Sequence, residues 1–359
     1  MTSADREEVV QARIEAFRRR PPRLNDTHIT TAHGAGGKAS AALVHAVFLP
    51  AFGNATLDAL DDAAVLDAPP GRIAMTTDSF VVSPRRFPGG SIGDLAINGT
   101  VNDLAMVGAR PLWLTAAFVI EEGFTVEELR AITADMAVAA ERAGVSVVAG
   151  DTKVVSRSAA DGLYITTAGV GVVPEGRRLA ADQVEVGDRV LVSGPIGDHG
   201  VAVMLARGDL EIEADVRSDT APLNHLAEQL LSQVPSTRWL RDPTRGGVAS
   251  ALNELATAAQ VGVALDEVSI PVRPMVTAAC ELLGIDALYV ANEGRLVAVV
   301  PAAHADAARA ALREDPLGRE AEIIGEVVAE PPGMVTLATR FGGARIVDLL
   351  VGDPLPRIC

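Results

Sequence analysis

Val145-Ser146-Val147-Val148-Ala149-Gly150-Asp151-Thr152-Lys153 predicts an apolar strand, Val145 to Ala149, that ends in a Gly-Asp-Thr-Lys turn. The next regular run, Leu163 to Val173, is again a strand, and no helix separates the two. That departs from strict βαβ alternation and favours an α+β lobe over a doubly wound sheet. Towards the N-terminus, Val126 to Arg142 has the spacing of an amphipathic helix, and Leu112 to Ile120 that of a buried strand. Ser91 to Val107 predicts a helix carrying Asp94, Asn102 and Asp103, and Arg72 to Thr77 a strand ending in Asp78. Asp61-Asp62-Ala63-Ala64-Val65-Leu66 predicts a turn leading into a strand.

Further out, His28 to Thr31 is a short β-like run before the glycine loop His33-Gly34-Ala35-Gly36-Gly37-Lys38, which opens a helix through Phe48. Glycines let backbone amides approach an anion closely, and a helix start favours phosphate. Residues 1–24 are expected to contain a charged, helical stretch ending in three arginines and two prolines and to lie at the periphery. Past Pro174 a second lobe begins. Val186-Gly187-Asp188 is a turn before the strand Arg189 to Ser193, and Gly194 to Gly200 leads into a helix. Asp242-Pro243-Thr244-Arg245-Gly246-Gly247 precedes a helix, Val248 to Ala259, and is a second glycine-rich helix start. The strand Gly262 to Leu265, a helix carrying Cys280, and Ala291-Asn292-Glu293-Gly294 before the strand Arg295 to Val300 follow. Helix 303–313 and strands near Ile323–Val328 and Met334–Leu337 complete this lobe.

The chain of 359 residues is 48% apolar but only 3% aromatic, so Ala, Val and Leu build its core. A formal net charge of −16 argues against nucleic acid and anionic membranes as partners. Two cysteines make no disulfide framework, and a reduced cytoplasmic setting is expected. The N-terminus lacks the apolar segment of a secretory signal, and no apolar run approaches transmembrane length. Of 31 basic residues only two are lysines, Lys38 and Lys153, and both stand beside glycine-rich or acidic motifs.

Pro354-Leu355-Pro356-Arg357-Ile358-Cys359 is a stiff arm, because each proline fixes φ and extends the residue before it. It carries a thiol on the last residue, which is not the position of a prenylation cysteine. A swinging reactive thiol is therefore expected at Cys359. Asp62, Asp78, Asp103 and Asp151 are hard oxygen ligands suited to Mg²⁺ holding nucleotide phosphates, with Lys153 as a nearby cation. Cys280 lies on an apolar helix face and is assigned to core packing. Soft-metal spacing and the Gly-x-Ser-x-Gly elbow are absent.

His33 to Gly37, Thr77-Asp78, Gly150 to Lys153, Asp242 to Gly247, Asn292-Glu293-Gly294 and the Pro-Arg-Ile-Cys end together resemble the HypE hydrogenase maturation family. The resemblance covers the chain from about residue 28, and the internal motifs are shared more loosely across the PurM-like, AIR synthase-related superfamily. It implies a two-lobed α+β fold with mixed sheets and a flexible C-terminal tail. The lobes expected are 28–175, binding ATP and dimerising, and 176–345, with an extension at 1–27 and the tail at 346–359. It further implies an ATP-dependent carbamoyl dehydratase that makes the cyanide ligands of [NiFe]-hydrogenase. HypF would carbamoylate the Cys359 thiol, the carboxamide would be dehydrated to a thiocyanate, and a HypC–HypD complex would accept the cyano group. The nucleotide-binding residues expected are His33, Gly34, Gly36, Gly37, Asn102 and Asp242; the catalytic ones are Cys359, Glu293 and Lys153. A PurM-like small-molecule kinase or synthetase and a non-enzymatic thiol carrier stay open as alternatives.

Overall fold

The structure is a computed structural model that describes residues 23–61, 63–67, 69–208 and 215–349. Asp62, most of the N-terminal extension and the tail with Cys359 lie outside the described residues. After a bridge between His28 and Thr125, helix α1 (Lys38–Leu43) passes through a π turn (Val44–Phe48) into a last α turn, Leu49–Phe52. Pro50 has no N–H to return to Ala46, and the Arg130 guanidinium donates to the Ala46 carbonyl instead. The first sheet has four strands, β1 (Arg72–Phe80), β2 (Arg110–Glu121), β3 (Ser146–Val155) and β4 (Leu163–Val173), in the order β1-β4-β2-β3. All neighbours are antiparallel except β2 and β3, which run parallel.

Two helices cover one face of this sheet, α2 (Ile92–Met106) and α3 (Val126–Ala143). Ser91 caps α2: its Oγ accepts the Gly93 and Asp94 N–H groups, and Asp94 accepts the Ser91 N–H in return. Thr125 caps α3, and Gly144 ends it at φ 70°. α2 is buried almost all round because the second lobe packs on its far side. The other sheet face is open, with Ile73 63% and Met75 75% exposed on the edge strand β1.

The second lobe is a seven-stranded mixed sheet. Its elements are β5 (Arg189–Val192), α4 (Asp198–Ala206), α5 (Asn224–Gln233), β6 (Trp239–Arg241), α6 (Gly247–Ala259), β7 (Gly262–Asp266), α7 (Pro274–Leu283), β8 (Val297–Val300), α8 (Ala305–Arg313), β9 (Glu322–Val328), β10 (Val335–Ala338) and β11 (Ala344–Val347). The strand order is β11-β10-β7-β9-β5-β8-β6, with β7 and β10 the parallel pair. Apolar packing does not stop between the lobes. Ala105 and Met106 of α2 join Leu223, Leu226 and Leu230 in one cluster, and Val201, Val203 and Cys280 join the first-lobe core. No helix among the described residues is long and apolar enough to cross a membrane.

Three expectations are corrected. Residues 64–67 form no strand. β1 does not stop at Thr77 but runs on to Phe80, and β3 does not stop at Ala149 but runs on to Val155. In both cases the neighbouring strand keeps pairing, so hydrogen bonds carry the strand through residues of poor β propensity. The predicted Gly-Asp-Thr-Lys turn is thus part of an edge strand. α5, β6 and β11 had no counterpart in the sequence reading.

Candidate functional site

The glycine loop and β3 enclose a cavity of about 370 Å³. His33, Gly34, Gly36, Ser40, Asp61, Asp151 and Lys153 are among its lining residues, together with the apolar Leu43, Phe48, Phe52, Ala116 and Phe118. The loop can lie this close to β3 because residue 34 is glycine: a Cβ there would come 2.8 Å from the Val154 backbone nitrogen. Gly36 turns the chain at φ +78°, and its N–H donates to Ser40 Oγ at 2.9 Å. His33 is buried, with Nδ1 accepting the Thr30 N–H at 3.0 Å, while Nε2 has no hydrogen bond and lies 3.5 Å from Asp26. Gly37 caps α1. Lys153 Nζ lies 2.8 Å from Asp151 Oδ2 and donates to Oδ1 at 3.0 Å, and this hydrogen bond holds the Asp151 carboxyl below the usual range. Both groups are largely exposed, so the pair is worth at most about 1 kcal/mol to stability and both remain free to meet a ligand. An apolar slot beside an exposed ammonium and closely approaching backbone amides suits a flat ring joined to phosphates.

A second group of expected residues gathers where the lobes meet. Asp78 on β1, Asp103 on α2, Asp242 before α6 and Glu293 before β8 influence one another electrostatically. Thr76 Oγ1 donates to Asp103 at 2.8 Å. Glu293 is 2% and Asp242 8% exposed. Burial pushes Asp242 up to about 7, with the charges of Asp103 and Asp78 adding to it. Burial, then Asp242, Asp219, Asp78 and Asp103, push Glu293 well above the usual carboxylate range. Burial also raises Asp78 and Asp103, against the Ser79 N–H and Arg245 at Asp78 and the Thr76 hydroxyl at Asp103. Glu293 Oε1 has no hydrogen-bond partner. A buried carboxylate with an open oxygen and high proton affinity is equipped to accept a proton.

The neighbours of Glu293 fix its main chain. Asn292 Oδ1 accepts the Gly197 N–H at 2.7 Å, and its Nδ2 donates to Pro243 O and Val290 O at 3.1 and 3.0 Å. Asn102, expected to bind nucleotide, is buried and reaches across from α2 to the second lobe. Its Nδ2 donates to Ala221 O and Glu293 O at 3.2 and 3.4 Å, and its Oδ1 accepts the Leu223 N–H at 2.7 Å. The segment 217–223 lies as a strap between the lobes. It is tied by Ser218 N–H to Pro88 O at 2.7 Å and by Asn98 Nδ2 to Thr220 Oγ1 at 3.1 Å. Asp219 Oδ1 accepts the Glu293 N–H at 3.1 Å. Asp219 escaped the sequence reading; an acid between Ser218 and Thr220 carries no motif, and only its burial gives it away.

The structure therefore divides the expected site residues. His33, Gly34, Gly36, Asp151 and Lys153 share the cavity. Asp78, Asp103, Asn102, Asp242 and Glu293 share the lobe junction. Asp78 pairs through Thr167 and Ala116 to Gly150, whereas Asp151 pairs through Ala117 and Thr166 to Ser79. Successive residues alternate faces and strands are ~4.8 Å apart, so Asp78 and Asp151 face opposite ways about 14 Å apart. Within one chain they do not hold one ion. Among the described residues no three His, Cys, Asp or Glu side chains are arranged to hold a metal. A larger cavity, about 540 Å³, lies in the second lobe beside α7. Its walls hold Cys280 and the ion pairs Arg340–Glu267 and Arg345–Asp286, and none of the expected site residues lines it.

The family models for AIR synthase related proteins match residues 60–173 (N-terminal domain) and 185–337 (C-terminal domain). The carbamoyl dehydratase HypE of Rhodobacter capsulatus is 53% identical over 94% of this chain and 99% of that protein. A crystal structure of the hydrogenase maturation protein HypE in complex with ATP superposes with a TM-score of 0.88, at 44% identity, covering 92% of this chain and 99% of that one. The HypE chain of a crystallised HypE–HypF complex is 49% identical with a TM-score of 0.76, covering 86% of this chain and 100% of that one. With both domain models matched and relatives this similar over nearly their whole length, the chain belongs to the HypE carbamoyl dehydratase family of AIR synthase related proteins.

Proposed function

We propose that the protein dehydrates an S-carbamoylated Cys359 to a thiocyanate at the expense of ATP, supplying cyanide ligands for the iron of [NiFe]-hydrogenase. The observation that carries this reading is the pairing of a nucleotide-shaped cavity bearing Lys153 with a buried, open-sided Glu293. The carboxamide oxygen is a poor leaving group until it takes the γ-phosphoryl group of ATP, after which it departs as phosphate. The amide nitrogen gives up two protons as the C≡N bond forms; Glu293 accepts one of them and the other leaves with the departing phosphate. Lys153 offsets charge that develops on the phosphoryl oxygens; one chain parts its cavity from the Glu293 junction, so the two act on one substrate across a homodimer.

Mg²⁺ commonly uses only one or two protein carboxylates and completes its shell with phosphate and water, so the want of a three-ligand group does not conflict with it. Asp151 at the cavity, kept ionised by Lys153, fits that role, and the ion would supply charge neutralisation between phosphate oxygens. A HypF carbamoyltransferase as donor partner is supported by the HypE–HypF complex of the relative. HypC–HypD is our proposed acceptor. A homodimer through the first lobes is supported by the open, apolar sheet face at Ile73 and Met75.

Intact-mass analysis after incubation with HypF, carbamoyl phosphate and ATP tests the whole reading. Carbamoyl addition followed by loss of one water is expected, and Cys359→Ala should gain neither mass. Cyano-group mass on Cys359→Ala, or an unchanged carbamoyl adduct with ATP present, would refute it. A PurM-like kinase would instead phosphorylate a free small molecule, and a mere thiol carrier would hydrolyse no ATP.

A further inference from the structure

The strap and the Glu293 turn interlock. A Cβ on Gly294 would lie 1.7 Å from the Asp219 carbonyl oxygen, so the strap backbone occupies the space a side chain would need. Ala221 N–H donates to Glu293 O at 3.3 Å, and Glu293 N–H donates to Asp219 Oδ1 at 3.1 Å. The strap is held from outside this contact by Pro88, Asn98 and Asn102, all on the first lobe, and by Ser218 Oγ, 2.8 Å from His199 Nδ1. Asp219 Oδ2 is buried and makes no hydrogen bond. Arg295 Nε stands 3.6 Å from it, but that guanidinium donates to the carbonyls of Pro195, Gly294 and Leu317. A buried carboxylate oxygen held by an ion pair but by no hydrogen bond is under-satisfied and calls for an explanation.

We propose that Asp219 is a positioning residue for dehydration: the strap sets its Oδ1 under the Glu293 main chain and its carboxyl beside the Glu293 turn. This rests on the reading of Glu293 as the base. The groups that face Glu293 are Asp242 ahead of α6, Asp78 on β1, Asp103 on α2 and Asp219 on the strap, with Arg241 and Arg245 acting on Asp103, Asp242 and Asp78 and Arg295 paired with Asp219 at 3.6 Å. Among these acids only Asp219 also hydrogen-bonds the Glu293 backbone among the described contacts. It thus couples where the base points to how firmly it takes a proton.

The test is the pH profile of single-turnover dehydration, read by quenched intact mass on HypF-carbamoylated protein with saturating ATP. Wild type, Asp219→Asn and Glu293→Gln are compared. Asn keeps an acceptor for the Glu293 N–H and removes the charge. Asp219→Asn is expected to slow turnover about tenfold at unchanged ATP KM and to move the acid limb down by about half a pH unit or more, because a like charge that favoured the protonated base is gone. A wild-type acid limb in Asp219→Asn, whatever its rate, overturns the proposal, since a purely structural loss would not move that limb. Wild-type rate and limb in Glu293→Gln would instead strike down Glu293 as the base, a separate outcome. Should Asp219→Asn fail to fold, Thr220→Val severs only the Asn98 tie. It should lower kcat and move the acid limb at unchanged ATP KM, and an unmoved limb overturns the proposal.

Discussion

The cavity beside β3 and the junction beside Glu293 use the same acids to opposite effect. At the cavity Asp151 is exposed, bonded to Lys153 and held below its usual range, so it stays an anion. At the junction Asp242 and Glu293 are buried among other acids and hold protons at pH values where ordinary carboxylates have lost theirs. One place is suited to charge that stays, as phosphate and its counter-ions require, and the other to charge that comes and goes. The difference comes from solvent access and neighbours, not from residue type.

The largest effect that could break this comparison is on turnover. Glu293→Gln is expected to slow dehydration by on the order of 10²–10⁴ while leaving ATP binding by calorimetry intact; a matching loss of ATP affinity would mean that the two places are one. Next comes stability against pH. Asp242 sits at about 7 folded against an ordinary 3.8, so the folded state binds the extra proton and stability falls as pH rises through this window. At about 1.4 kcal/mol per pH unit the loss reaches a few kcal/mol above pH 7, and Asp242→Asn should remove its share, the raised Glu293, Asp78 and Asp103 keeping theirs. Thermal melts at pH 5 and pH 8 read this directly, and equal pH slopes in both proteins would contradict it. Asp151→Asn should act the other way round, weakening ATP about tenfold, or about 1.4 kcal/mol, while the melting temperature hardly moves, because exposed ion pairs add little. The smallest effect belongs to Cys280→Ala. Burial pushes this thiol up to about 11, so it is inert at pH 8, and its loss should cost no more than about 1.5 kcal/mol and no activity. Thiol labelling of the native protein should be unchanged by it.

The cavity was legible in the sequence because glycines and a rare lysine mark it locally: His33 to Gly37 and Gly150 to Lys153 are short motifs, and folding only had to bring two of them together. The paired nature of the junction was less legible. Glu293 stood out between Asn292 and Gly294, but its surroundings come from residues 78, 103, 219 and 242, which no local pattern connects. Asn102 looked like a ligand group, whereas its amide is spent on three backbone partners across the lobe boundary. The four aspartates were read as one metal set because a sequence gives no sheet width. Pairing three strands apart, with faces alternating, is what parts Asp78 from Asp151. α5 and β11 escaped for a milder reason. Polar positions in Asn224–Gln233 dilute its apolar stripe, and Ala344–Val347 is a short strand with three exposed positions.

Mechanically, α2 is an axle and not a hinge pin. Its first-lobe side packs on the four-stranded sheet and α3, while Ala105 and Met106 sit in the second-lobe core and Asn98 and Asn102 grip the strap. A clamshell closing of one lobe on the other would have to tear that helix from one of two close-packed walls, and close-packed walls do not yield gradually. Packing of α2 into both walls thus opposes a clamshell closing and favours one shared frame for the two lobes.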